Sequence, residues 1–332
     1  MKAFEYASPR TEAEVVQLLS AEPGKTEILA GGTDLVGLMK KMIVTPDRVV
    51  NIMDVPTLKS IDELPDGSVS IGAAVTLDDI LAHPYLDMYP AIKQAIRGIS
   101  SMQLQAQGTL GGEVCQRPRC WFYRNGEGLM SQDVAAGANE FHAILGNSGP
   151  AKFVNSSRIA PALIALDAQL RVLGPGDSSS EDAEQFVPLS EFFRSPRREG
   201  QREHVLEPNQ FVTHIILPPI EGRTCATYEV RHGEGPDYPL AAAAAALRLD
   251  GFGIVRDANV VLGQVAPMPW ISQEAIAVLR GRKVDLALAE AAGEAAVSRA
   301  TPLSQNEYKV QLAKVAVKRA VLLAAGYETG GF

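Results

Sequence analysis

The 332-residue chain is short of several things, and each shortage closes a class of function. Its three cysteines, Cys115, Cys120 and Cys225, are too few for a disulfide framework and point to a reducing compartment. No run approaches the roughly 18 apolar residues that a membrane-spanning helix needs. The N-terminal Met1-Lys2-Ala3-Phe4-Glu5-Tyr6 lacks the apolar centre of a secretory signal. A cytoplasmic protein is the expectation, with the periplasm open only to co-export with a signal-bearing partner. Positive charge is also in deficit: 31 Lys and Arg against 39 Asp and Glu leave −8, and no basic arm offsets it, which argues against nucleic acid. There is no G-x-S-x-G, no H-E-x-x-H and no carboxylate pair of diagnostic spacing. Cys115-x4-Cys120 does not make a four-ligand metal motif, and the five histidines are scattered. His142, His204, His214 and His232 read as surface or loop residues. The absence of nucleophile–base pairs suits a protein whose hard chemistry belongs to a bound cofactor.

What is present is an ordinary globular composition, 46% hydrophobic and 21% charged, long enough for two or three domains with their own cores. Two glycine clusters stand out. Glu27-Ile28-Leu29-Ala30-Gly31-Gly32-Thr33-Asp34-Leu35 reads as a short strand, a Gly-Gly turn and a helix running to Met42. Such a turn lets backbone N–H groups crowd an anion, and the helix would point its positive end the same way. Plain turn chemistry is the alternative. The stretch is neither G-x-G-x-x-G nor a phosphate loop ending in Gly-Lys-Ser/Thr. About eighty residues on, Gly108-Thr109-Leu110-Gly111-Gly112 repeats the Gly-Gly beside Thr, so two loops are available to clasp one extended ligand.

The pair "LAGGTDL" and "QGTLGGE", with the later "TYEVRHGEGPDYPLA", resembles the FAD-binding subunit of the molybdenum hydroxylases, the xanthine, aldehyde and carbon monoxide dehydrogenase family, over essentially the whole chain. The resemblance implies an α+β protein: a PCMH-type FAD-binding fold of two α/β subdomains, then a C-terminal domain of antiparallel sheet plus helices. It implies FAD as cofactor, its diphosphate held by Leu29, Ala30, Gly31, Gly32, Thr33, Asp34, Leu35, Gly108, Thr109, Gly111 and Gly112. Tyr238, with Tyr228 and Arg231, is placed near the flavin ring. No catalytic residue is expected, since electrons would arrive from a small [2Fe–2S] subunit, pass through FAD and leave to NAD+, a quinone or dioxygen. A large molybdopterin subunit would oxidise the substrate, in a dimer of heterotrimers. Where the family often has Asn after the second Gly-Gly, this chain has Glu113. Where it has Asp in a cofactor-contacting "PSD"-like segment, this chain has Arg158, inverting the charge. Some relatives carry a [4Fe–4S] cluster in an insertion whose first ligand resembles Cys120. Residues 121–157 hold no further cysteine, so no iron is expected here.

Taken in order, the pattern predicts a strand at Lys2–Tyr6, a helix opened by the capping box Thr11-x-x-Glu14, and a strand at Val49–Ile52. Further strands are expected at 69–74, 169–173 and 211–217, and helices at 76–81, 90–99, 160–166 and 188–193. Residues 125–150 read as irregular, and Gly174–Glu184 as a polar loop. Pro218-Pro219 marks the domain boundary, dividing 1–219 (subdomains near 1–57 and 58–219) from 223–327. The alanine run after Leu240 has helical propensity, yet its setting between Pro239 and Asp250-Gly251, ahead of 258–263, favours a strand meander. Helices at 272–279, 284–297 and 307–325 follow. The segment Cys115–Arg124, with three arginines and three aromatics, reads either as a loop of locally paired arginines or as a docking surface. Cys120, flanked by Arg119, is a candidate for a lowered thiol pKa.

Two rivals remain at this point: a free-standing flavin oxidase with its own substrate pocket, and a structural subunit that has lost FAD. A Gly32→Asp substitution places bulk and negative charge against the expected diphosphate. It is expected to abolish flavin retention, and unchanged flavin absorbance in the purified variant would count against the assignment.

Overall fold

The computed structural model describes residues 1–176, 182–233, 235 and 237–329. These form three sheets, one in each successive third of the architecture. The first lobe is a parallel sheet of β1 (Glu5–Ala7), β2 (Thr26–Leu29) and β3 (Arg48–Asn51), in the order β1-β3-β2. Its helices are α1 (Glu12–Leu18) and α2 (Leu35–Lys40). Thr11 caps α1 by accepting from the Glu14 N–H, while the Glu14 carboxylate accepts from Arg10 N–H, one residue ahead of the cap, so the predicted box forms with its return arm displaced. β1 starts at Glu5, later than predicted, because its partner β3 opens only at Arg48, opposite Glu5.

The second lobe is built on an antiparallel sheet of β4 (Ile61–Glu63), β5 (Val69–Gly72), β6 (Gln169–Pro175), β7 (Asp182–Pro188) and β8 (Phe211–Leu217), ordered β4-β5-β8-β6-β7. Its helices are α3 (Leu77–Ala82), α4 (Pro90–Arg97), α5 (Met102–Gln107), α6 (Leu110–Cys115), α7 (Trp121–Arg124), α8 (Ala160–Ala165) and α9 (Leu189–Phe192). The predicted polar loop after Gly174 is shorter than expected: β6 continues to Pro175 and β7 opens at Asp182, while 177–181 lie outside the described residues. β7 carries no clean apolar alternation because it is an edge strand whose Phe186 faces solvent. The first two lobes are joined by one apolar cluster, in which Val15, Val50, Ile52 and Leu58 meet Ala74, Leu173 and Phe211.

The third lobe is an antiparallel sheet of β9 (Arg223–Val230), β10 (Ala241–Leu249), β11 (Val255–Gly263) and β12 (Trp270–Ile271), in the order β12-β11-β10-β9. It is backed by α10 (Gln273–Leu279), α11 (Leu286–Ala296) and α12 (Tyr308–Ala324). The alanine run is indeed a strand, β10, because both of its faces are covered. Ala241, Ala243 and Ala245 pack in the core that includes Ala313, Val317 and Val321 of α12, while Ala244 and Ala246 join the second lobe's core. Strand alternation thus puts a methyl on each face, and the small side chains bring helices close on both sides. Ala245→Leu forces extra volume into this layer and is expected to lower stability by about 1–3 kcal/mol, read as a reduced urea midpoint with an unchanged slope.

Candidate functional site

The site lies where the first two lobes meet. β2 ends at Leu29, and the chain turns through Ala30–Asp34 into α2. Gly32 has φ +72°, a conformation that L side chains rarely adopt. The N–H groups of Ala30, Gly31, Gly32, Thr33 and Asp34 find no acceptor among the described residues. They therefore remain as a run of free donors. α2 is only six residues long, so these amides, rather than a helix dipole, are the turn's attraction for an anion.

The second glycine cluster is built differently. Gly111 and Gly112 are not in a loop but in the first turn of α6, capped by the Thr109 hydroxyl, which accepts from Gly112 N–H. Leu110 N–H donates to Val75 O and Gly111 N–H to Ala73 O, so the amides here are already used. What this cluster supplies is a wall without side chains. A Cβ on Gly111 would lie 2.7 Å from that of Ala73, and one on Gly31 would collide with Gln107 O and crowd Gly108 N. The two clusters touch backbone to backbone, and only glycine permits it.

Beside this contact opens a cleft of about 1130 Å³, beyond the ~300–1,000 Å³ of ordinary small-ligand pockets and large enough for a dinucleotide. Ala30, Gly31, Gly32, Thr33, Asp34, Leu35, Thr109, Gly111 and Gly112 line it. Leu29, Gly108 and Tyr238 do not: Leu29 ends the supporting strand, Gly108 accepts from Leu77 N–H behind the wall, and Tyr238 donates to Oε1 of Gln116, which does face the cleft. Asp34 would oppose an anion if it were free. Its carboxylate instead accepts from Arg124 at 2.7 Å and from Arg117 N–H, with Arg119 at 3.3 Å.

That arrangement answers the question of the arginine-rich stretch. Arg119 and Arg124 go to Asp34 and Arg117 to Glu203 at 3.0 Å, so the arginines are paired, but with carboxylates more than eighty residues away rather than local ones. Cys120 has no lowered pKa. Burial pushes the thiol up, and its sulfur lies 3.2 Å from Nε2 of His142. His142 and His204 are buried rather than superficial, contrary to expectation, and burial draws the His142 imidazole down to about 4. His214 is half-buried in β8, with Arg171 and Thr57 O as partners. His232 is exposed. Among the described residues, no three His, Cys, Asp or Glu side chains converge on a metal-binding arrangement.

Glu113 and Arg158 also sit differently from their predicted setting. Neither lines the cleft. Glu113 accepts from Arg158 N–H at 2.6 Å and from the Gln116 amide at 2.7 Å. The Arg158 guanidinium donates to Gly98 O and Asp237 O and lies over the Tyr238 ring. The exchange of residue types thus builds a buried tie between α6, the end of α4 and the third lobe. Sequence reasoning placed both residues at the ligand because position along the chain says nothing of which way a side chain turns.

The fold places the chain among flavoproteins of the PCMH type. The carbon monoxide dehydrogenase of Hydrogenophaga pseudoflava superposes with a TM-score of 0.76 at 25% identity, covering 97% of both chains. More narrowly, the model of the FAD-binding domain in molybdopterin dehydrogenase matches residues 2–220, and that of the CO dehydrogenase flavoprotein C-terminal domain matches 226–324. The aldehyde oxidoreductase FAD-binding subunit PaoB of Escherichia coli is 30% identical over 95% of this chain and 96% of its own. The carbon monoxide dehydrogenase medium chain of Hydrogenophaga pseudoflava is 26% identical over 96% of each. The chain belongs to this family of FAD-binding oxidoreductase subunits, and its cofactor is FAD.

Burial pushes the Glu113 carboxyl up to about 7 from an ordinary 4.5. The folded state then binds more protons than the unfolded chain between those values, so this group's contribution falls as pH rises through that window. Urea midpoints at pH 5 and pH 8 test this. The wild type is expected to lose about 1–3 kcal/mol relative to Glu113→Gln on going to the higher pH, and parallel profiles would contradict the assignment.

Proposed function

We propose that the chain is the electron-transfer subunit of a molybdenum hydroxylase and holds the FAD diphosphate on the Ala30–Asp34 turn. The carrying observation is the run of unpaired N–H groups beside a contact that tolerates no Cβ. In this reading the free amides and the Thr33 hydroxyl donate to the diphosphate, with Leu35 beside them. Gly111 and Gly112 let the ligand backbone approach the second lobe, and Thr109 fixes that wall by capping α6. Leu29 and Gly108 act from behind, holding the two turns in register. Tyr238 works through Gln116, whose amide is oriented between the tyrosine hydroxyl and Glu113. The neutralised Asp34 removes the one carboxylate on the turn itself that would repel the ligand.

When bound, FAD supplies one- and two-electron chemistry that the side chains lack. The protein's share is to hold the cofactor and exclude water around it. The lobes correspond, in this proposal, to a FAD-binding part at 1–219, subdivided near residue 57, and a C-terminal domain at 223–327. The partners are a small subunit with two [2Fe–2S] clusters delivering electrons and a large molybdopterin subunit that meets the substrate. The acceptor is NAD+, a quinone or dioxygen, and the assembly is a dimer of heterotrimers. The family membership and the whole-length similarity to medium chains support this reading.

Purification under native conditions tests it. About one FAD per copy of this chain is expected by visible absorbance, together with molybdenum and iron in co-purifying chains. A colourless chain would overturn the cofactor assignment. A yellow chain that purifies alone and turns over a substrate would overturn the electron-transfer role.

A further inference from the structure

One wall of the cleft is formed by an excursion of the second lobe that leaves at Phe193 and returns at His204, where the two residues form an antiparallel bridge. Arg194, Arg198 and Arg202 all lie on it and line the cleft. Arg202 is committed to Glu27 at 3.1 Å, which ties the excursion to β2 just before the free-amide turn. Arg194 gives its Nε to Arg202 O at 3.0 Å, and its two terminal nitrogens find no acceptor among the described residues. The Arg198 guanidinium has neither a carboxylate nor a hydrogen-bond partner among them. The acids nearby are mostly taken. Glu203 holds Arg117, Glu199 accepts from Leu129 and Met130 N–H, and Glu207 stays exposed.

The charge on this wall is felt locally. His204 stacks on Phe192, and burial, with Arg202, Arg117 and Arg194 close by, drives its imidazole well below the ordinary value, so it stays neutral. A neutral ring leaves the positive charge with the guanidiniums. Planar, always-charged forks are suited to phosphoryl oxygens, and a cleft with low-dielectric walls strengthens the attraction.

We propose that Arg194 and Arg198 form a second anion subsite of the cleft, separate from the Ala30–Asp34 amides, and that it takes a phosphoryl group. The subsite stands on its own geometry, while the identity of its ligand rests on the reading that the cleft holds FAD. The phosphoryl group has two possible sources: the cofactor's own diphosphate, gripped from a second side, or a free phosphate-bearing molecule entering beside it.

The test uses the full chain stripped of flavin, as wild type, Arg194→Gln and Arg198→Gln. FAD and riboflavin affinities are read by fluorescence, and inorganic pyrophosphate binding by its effect on the melting temperature. Pyrophosphate is expected to raise the wild-type melting temperature and to do so less in each variant. If the cofactor's diphosphate is the source, each variant also binds FAD about tenfold more weakly, riboflavin affinity is unchanged, and reconstitution with FAD abolishes the pyrophosphate effect. A pyrophosphate effect that survives reconstitution assigns the subsite to a free anion. Equal binding of both pyrophosphate and FAD by the wild type and the variants overturns the proposal. A wild type without FAD affinity overturns the cofactor reading instead, and the pyrophosphate arm still decides the subsite. Arg198 is exposed and bonded to nothing the fold needs, so its variant serves if Arg194→Gln fails to fold.

Discussion

The structure depends on one close approach of two backbones, that of Gly31 against Gln107 and Gly108. No side chain intervenes, so the first and second lobes meet at a distance set by peptide groups. Everything that defines the cleft follows from it: the free amides on one side, the packed glycines of α6 on the other. The apolar cluster of Val15, Val50, Leu58, Ala74 and Phe211 lies behind this contact and keeps the lobes from separating. Packing supplies the adhesion, and the glycines supply the proximity.

A second constraint is electrostatic. Asp34 begins α2 at the mouth of a cleft suited to anions, and its presence makes sense only with the arginines that meet it. Those arginines, Arg119 after α6 and Arg124 at the end of α7, lie about ninety residues later. Tyr123 of α7 and Leu129 just after it pack with Leu38 of α2. Further along, the chain between α7 and α8 reaches the third lobe, where Lys309 donates to Phe141 O, His142 O and Gln264 O. A buried lysine with carbonyl partners joins the last helix to Phe141 and His142. The three lobes are thus coupled through polar contacts as well as through cores.

Much of the architecture was legible because the signals were local and agreed with one another. Thr11 announced a helix start by its capping box, and Phe211–Leu217 announced a buried strand by composition. The alanine strand was legible only from its flanks, since its propensity pointed the other way. The site was legible in part. Gly31 and Gly111 could be singled out in the sequence, but that the two clusters work differently could not. Whether an amide is free or spent depends on partners such as Ala73 and Val75, which the turn itself does not specify. The burial of His142 and His204, the turning of Glu113 away from the cleft, and the arginine wall at 194–202 are all tertiary outcomes. Each arises where residues far apart in the chain are brought together, and no periodicity encodes it.

The unpaired amides at Ala30–Asp34 have a thermodynamic consequence for the molecule as a whole. Without a ligand they must be hydrated, and the strip of chain carrying them is held only through its neighbours. A ligand seated there binds the native chain and not the unfolded one, so it adds RT ln(1 + [L]/Kd) to the folding free energy. That increment falls across the seam between the first two lobes, where the first lobe contributes strands of only three and four residues. Occupancy and folding are therefore linked quantities here, and any ligand of this turn raises the share of the chain that is folded.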